Sequence, residues 1–459
     1  METTLTYSPA THKPLTFHTA REDFIGGTDN AREYLERCLE TIDAREPTVL
    51  GWVTLNREGA RQAADASVER YRAGRPLSLI DGMPIGIKDL IETRDMPTEM
   101  GCAAFKGNFP KRDSALVRAL RDAGAIVLGK TVTTALGFLD AGPTTNAFDA
   151  RRTPGGSSSG SGAVVGANMV PVAIGSQLVG SVIRPASFNA NWALKPTYGG
   201  INRGERMGFS QSHVGVHAGS AIDMWQTTIE IVQRAGGDPG HPGVYGTTEA
   251  PKPIKPKRLA VFESEGWSRL DDASREAFEK ALSAIAAQGV EIVRRSQSQK
   301  LEALERAIAD CTALSMRLNA WEQRWSLANI AEQHMDTLGP SLRESLELGR
   351  GLTLEDFRAS LREREAARAT LAALAPECDA LISLAACGPA PLIDDIKGTA
   401  FPTGDVSFSC VSSLLGAPSV TTPVLAVNGM PLGIQVMGQH HDDAKVTGIA
   451  CWLASASLG

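Results

Sequence analysis

Apolar residues fall on one helical face between residues 28 and 45, where Tyr34, Leu35, Cys38, Leu39 and Ile42 recur at three- and four-residue steps. This predicts a helix with Thr28 as its cap. Ala64–Ala73 continues in helical style. IDGMPIGIKDLIE (80–92) changes period: two turn glycines, a proline and isoleucines alternating about Gly86 predict a short buried strand through Lys88. Ser114–Ala123 is amphipathic, with Leu116, Val117 and Leu120 on its apolar side, and Gly124 ends it. AIVLG (125–129) follows as a buried strand. The alternation returns with strands at 170–175, 257–264, 379–385, 417–425 and 433–438 and a helix over Asp272–Gln288. Alternating helices and strands predict an α/β sandwich around one large sheet. The chain over about 296–372 is helical by pattern and stands as an excursion from that sheet, and the segment over about 1–75 is an N-terminal helical region. No internal repeat is visible.

No charge occurs in the 31 residues from Thr153 to Ile183. A transmembrane helix needs about 20 mostly apolar residues. This stretch instead opens PGGSSSGSG and carries Asn168, Pro171, Ser176 and Gln177, whose polar groups lipid would leave unsatisfied. It reads as buried backbone at the centre of a fold.

Composition narrows the class. The 459 residues carry a net charge of −6, 42% hydrophobic and 21% charged residues. That is an ordinary soluble globular profile, without a basic nucleic-acid surface or an anionic-membrane binder. Glycine is in excess at 45 residues, as expected where backbone turns tightly or approaches something closely. Seven scattered cysteines (38, 102, 311, 378, 387, 410 and 451) form no C-x-x-C pair, so neither a disulfide framework nor a zinc site is expected. They read as reduced core thiols. The N-terminal residues show no apolar signal region, and a cytoplasmic protein is the expectation.

The densest motif is RRTPGGSSSGSG (151–162). A Gly/Ser run is usually a flexible linker, but this one runs straight into apolar chain that must be packed. Gly156-Ser157-Ser158-Ser159-Gly160 also fits G-x-S-x-G, which would make Ser158 the nucleophile of an α/β-hydrolase. That motif needs a strand before its first glycine, and Arg151–Pro154 is turn-like. Gly124–Thr131 fits the phosphate-loop pattern G-x-x-x-x-G-K-[ST], but its four intervening residues are Ala-Ile-Val-Leu, a strand where an inward-turned loop is required. His440-His441-Asp442-Asp443 reads as a solvated loop rather than a metal site.

Taken together, GGSSSGSG (155–162), Gly180-Ser181, LKPTYG (194–199) and Ile87-Lys88-Asp89 resemble the amidase signature family of serine hydrolases. DSALVRALRDAGAIVLGKT (113–131), DALISLAACGPAP (379–391) and GMPLGIQVMG (429–438) extend the likeness over nearly the whole chain. The resemblance implies a single-domain α/β/α sandwich over 1–459 around a large mixed, twisted sheet. It implies a Ser–cisSer–Lys triad: Ser181 as nucleophile, Ser157 as bridging serine on a cis peptide after Gly156, and Lys88 as base. Leu178, Val179, Gly180 and Ser181 match the positions whose backbone N–H groups form the oxyanion hole. Lys130 becomes structural.

The chemistry is coherent in itself. A serine hydroxyl is a weak nucleophile until a base takes its proton. A lysine can be that base when burial holds it neutral. Ile85, Ile87, Leu90 and Ile91 supply apolar surroundings for Lys88, whereas Asp89 would oppose the shift if it pointed inward. Three departures from the commoner family pattern stand near the nucleophile. Gln177 replaces an acid, Val179 replaces a glycine, and Arg184 sits one place late, so the salt bridge expected there is in doubt. The expected activity is hydrolysis of the C–N acyl bond of a small amide, with carbamates (urethanes) and esters open to the same acyl-transfer site, with no cofactor, metal, nucleic acid or membrane, by a monomer or homodimer. Alternatives are an amidotransferase subunit of a larger complex and a non-catalytic member of the fold. Pocket walls are expected over Phe138–Asn146 and Met207–His213, naming Phe138, Leu139, Thr144, Met207 and Phe209.

Overall fold

A computed structural model describes residues 5–204 and 209–456. Eleven strands form one mixed sheet: β1 (Trp52–Leu55), β2 (Pro84–Lys88), β3 (Ile126–Thr131), β4 (Val172–Gln177), β5 (Trp192–Lys195), β6 (His213–Ala218), β7 (Arg258–Val261), β8 (Glu291–Val293), β9 (Ala380–Leu384), β10 (Ser419–Val427) and β11 (Met430–Met437). Their order is β1-β3-β2-β4-β6-β5-β10-β11-β9-β7-β8. The strands β3, β2 and β4 run parallel, as do β9, β7 and β8, while the centre is antiparallel. This is the α/β architecture expected from the alternation.

Side chains alternate across each strand. Val214, Val216 and Leu194 enter the main core with Met224 and Trp225 of the helix Ala221–Ala235. Their neighbours Ala193 and Gly215 turn to the other face, where Val182 and Ala186 close on them; a methyl added to Gly215 would stand 2.8 Å from Val182. The helices Ser159–Gly166 and Ile183–Phe188 therefore lie on the sheet with almost no side-chain spacer. Within Thr153–Ile183 only Gly166, Asn168 and Leu178 are less than fully buried, so the Gly/Ser run is core and not linker.

Several elements depart from the sequence reading. The first long helix is Ala31–Val49, and its cap is Asn30, whose side chain accepts from the N–H groups of Arg32 and Glu33. Thr28 instead turns its hydroxyl to Asp23. The N-terminal region is not wholly helical, because β1 lies between its helices and pairs with β3. Lys130 does not follow a strand but lies within β3. Asp443 is not in a solvated loop: it is buried, starts the C-terminal helix Asp443–Ser455, and accepts from Thr197 N–H and Oγ1 at 2.8 and 2.7 Å.

The helical excursion comprises Gln299–Ala307, Cys311–His334, Pro340–Gly351 and Leu354–Leu374. It has apolar clusters of its own, one shared with Val179 and one with Phe138. All seven cysteines are free thiols. Among the described residues no helix is long and apolar enough to cross a membrane.

Candidate active site

Parallel β2 and β4 end side by side, so Lys88 at the end of β2 meets Ser176 near the end of β4. Ligands in α/β sheets gather outside such carboxyl ends. Lys88 is completely buried, and burial alone drives its amine well below the usual lysine pKa. Its Nζ lies 2.7 Å from Ser157 Oγ, 2.9 Å from Ser158 Oγ and 3.2 Å from the Ser176 carbonyl.

Three acceptors surround Nζ, and it is burial that favours its neutral form. The Ser176 carbonyl can only accept, so one N–H of Lys88 points there. Ser158 donates its own hydroxyl to the Ser176 carbonyl at 3.1 Å and so receives a second N–H from Lys88. An ammonium would donate its third N–H to Ser157 Oγ, whereas a neutral amine would turn its lone pair to that hydroxyl.

Asp89 does not oppose this. Its carboxylate is bound to Lys130 Nζ at 2.9 Å, and Lys130 also donates to Thr98 Oγ1 and the Pro97 carbonyl. A buried pair thus occupies both charges, and Lys130 has nothing of a phosphate loop about it. His217 of β6 faces Gly175 and is held neutral by burial, its pKa lowered to about 3. Neither of its ring nitrogens has a hydrogen-bond partner among the described residues.

The peptide between Gly156 and Ser157 is cis. Ser157 and Ser158 face Lys88 together, immediately before the helix Ser159–Gly166. Ser158 is fully buried with its hydroxyl saturated, which removes it as a nucleophile-elbow serine. Its hold on Lys88 is a role the sequence reading missed; the only signal was the middle hydroxyl of a Ser-Ser-Ser run.

Ser181 lies on the turn between β4 and the helix Ile183–Phe188. Its hydroxyl makes no hydrogen bond among the described residues and is not one of the sealed polar atoms, so solvent reaches it. The structure brings Lys88 and Ser157 into direct contact, and Ser181 stands free of both. Around Ser181 the N–H groups of Leu178, Val179, Gly180 and Ser181 donate to nothing among the described residues. The next two, of Val182 and Ile183, both donate to Gln177 Oε1, at 2.8 and 3.0 Å. The Nε2 of Gln177 reaches Ser413 Oγ at 2.9 Å. Gln177 in place of an acid therefore still anchors the turn, with its amide giving what a carboxylate could not, a donor.

The doubted salt bridge is absent. Among the described residues Arg184 has no carboxylate partner; it donates from Nη2 to the Gly156 carbonyl at 2.6 Å and to Thr403 Oγ1 at 2.9 Å, and from Nε to the Thr403 carbonyl at 3.0 Å. Burial lowers its pKa to about 10. Three residues past Ser181, the chain thus reaches back to the peptide just before Ser157.

Of the expected pocket residues, Phe138 and Leu139 line a cavity of about 210 Å³. Thr144 does not: it is buried with its hydroxyl on the Leu50 carbonyl. Phe209 is half-buried and offers its carbonyl to Arg203, away from that cavity. Met207 lies outside the described residues.

Comparison with known proteins bears on the family and the fold. Residues 33–447 match the family model described as Amidase. The chain is 28% identical to a glutamyl-tRNA(Gln) amidotransferase subunit of Chloroflexus aggregans, with 94% of each covered. A crystal structure of an amidase superposes with a TM-score of 0.81 at 28% identity, covering 96% of this chain and 99% of that one. The peptide amidase of Stenotrophomonas maltophilia gives 0.77 at 25% identity, covering 96% of both.

Proposed function

The chain belongs to the amidase family, and from that premise we propose that it is a serine hydrolase cleaving C–N acyl bonds through an acyl-enzyme on Ser181. The observation that carries this reading is the contact of Lys88 Nζ with Ser157 Oγ at 2.7 Å, in a place where complete burial favours the neutral amine.

In the first half-reaction Ser181 Oγ attacks the substrate carbonyl carbon. Its proton passes to Ser157 Oγ while Ser157 passes its own to Lys88 Nζ. The carbonyl oxygen becomes an oxyanion, received by the unengaged N–H groups of Leu178–Ser181. Such donors are each worth about 10²–10³ in rate. As the tetrahedral intermediate collapses, Lys88 returns the proton through Ser157 to the leaving nitrogen, and the amine departs. Water then repeats the sequence on the ester, freeing the acid and restoring Ser181. Amides, carbamates and esters are open to the same site because all three pass through the same oxyanion.

A panel of anilides, primary amides, carbamates and p-nitrophenyl esters on the pure protein tests this. Hydrolysis of at least one class is expected, lost in Ser181→Ala while the circular dichroism melt is unchanged. Equal turnover by Ser181→Ala would contradict it.

The names of the curated relatives favour a second reading, as one component of an amidotransferase. That role requires partner proteins. Affinity purification from the native host, followed by mass spectrometry and RNA detection, separates the two: a lone active chain supports the hydrolase, and a stoichiometric complex with tRNA supports the amidotransferase.

A further inference from the structure

Two of the segments that line the cavity of about 210 Å³ also pass the candidate site. On one side the turn Ala135–Gly137 passes the bridging serine closely: a methyl on Gly137 would lie 3.6 Å from Ser157 Oγ. The next two residues, Phe138 and Leu139, form one wall. On the other side Thr403 lies against Gly156, 2.8 Å from where a methyl on that glycine would stand. Phe401, two residues earlier, also lines the cavity. The helical excursion closes the space with Met316 and Leu348. Met316 packs both with the cluster holding Val179 and Leu178 of the oxyanion turn and with the cluster around Phe138.

We propose that this cavity receives a neutral, compact apolar group of the substrate, an aryl ring or a branched alkyl chain of similar bulk, and so makes the protein selective for amides that carry one. The proposal rests on the hydrolase reading. Size sets the first limit. A cavity of about 150 Å³ lined by apolar side chains takes benzene, so this one admits a phenyl group with a few further atoms and excludes a long acyl chain. Charge sets the second. Among the described residues Glu344 is the one charged residue in the lining, and no lysine or arginine joins it. A carboxylate carried into this space would meet no counter-ion among the described residues and would face Glu344 as well.

Two series of substrates test the idea: one varies the acyl group on a constant amine, the other the amine on a constant acetyl group, each through methyl, butyl, benzyl and dodecyl, with a carboxylate-bearing isostere of the butyl member. In one series kcat/KM is expected to rise about three- to fourfold per methylene up to the benzyl member, as apolar burial dictates. It should then fall at dodecyl, with the carboxylate isostere at least tenfold below its neutral counterpart. Leu348→Trp, which adds bulk to the lining, should cut the benzyl-to-methyl ratio at least tenfold. Two flat series, a preferred carboxylate, or a ratio unmoved in Leu348→Trp would overturn the proposal. Intact-mass detection of an acyl group on Ser181 in the same samples separates the two levels. An acylated Ser181 with flat series overturns the pocket alone, and hydrolysis without acylation at Ser181 overturns the hydrolase reading and the pocket with it.

Discussion

Arg184 Nη2 donates to the carbonyl of Gly156 at 2.6 Å, joining the segment that carries Ser181 to the one that carries Ser157. The same guanidinium holds Thr403 through its hydroxyl and its carbonyl. Arg184→Met strands three buried acceptors, each costing about 1–3 kcal/mol when unpaired. The expected result is a loss of roughly 3 kcal/mol or more in denaturant unfolding, with kcat reduced more than KM is raised because the two serines lose register. Unchanged stability would show that the clamp is not needed.

Lys130 and Asp89 form a buried ion pair at 2.9 Å. Removing one partner of such a pair costs about 3–5 kcal/mol, mostly from the charge left behind. Lys130→Met should therefore destabilise strongly, more than its place in a strand alone would suggest. Lys130→Met with Asp89→Asn should recover most of the loss. Amide hydrolysis per folded molecule, measured at low temperature, should survive in both. An inactive but fully folded Lys130→Met would place this lysine in the chemistry.

Lys88 must be neutral to accept a proton, and burial lowers its pKa. As pH rises through that lowered value the amine fraction grows, so kcat/KM should climb from neutral towards alkaline pH and level off below the free-lysine value of about 10.4. Lys88→Ala should cost at least about 10³-fold, since one member of a cooperating set removes most of what the set supplies. A rate that peaks in acid and falls by pH 8 on a stable enzyme would contradict a lysine base.

Lys195 is buried, with its pKa lowered to about 7 by desolvation. The unfolded chain holds that proton to about 10.4. Between these values the unfolded state binds more protons than the folded one, so stability rises with pH there. In Lys195→Met this part of the slope disappears. Denaturant unfolding at pH 7, 8 and 9 measures it; equal slopes in the two proteins would mean that Lys195 stays charged in the fold.

Strong periodicity and strong motifs were legible in the sequence: the strand ending in Lys88, the helix–strand unit before Lys130, and the buried Gly/Ser segment. What escaped depended on contacts across the fold. The strand His213–Ala218 went unseen because its alternating face offers two histidines and a glycine, residues that do not announce an interior. Thr144 follows Phe138 closely in sequence, yet the chain leaves the cavity at Asp140, whose carboxylate accepts from Ser341 N–H at the start of the helix Pro340–Gly351. Asn30 displaced Thr28 as helix cap because its side chain reaches two amides at once. The partner of Arg184 could not be read at all, since the Gly156 carbonyl has no signature in the sequence.

Ser181 as the acylated residue is tested most directly by treating the wild-type protein and Lys88→Ala with a serine-directed phosphonate and mapping the adduct by peptide mass spectrometry. The predicted result is one adduct per chain on Ser181 in the wild type, formed far more slowly in Lys88→Ala. An adduct on Ser158, or labelling of Ser181 at equal rates in the two proteins, would contradict it.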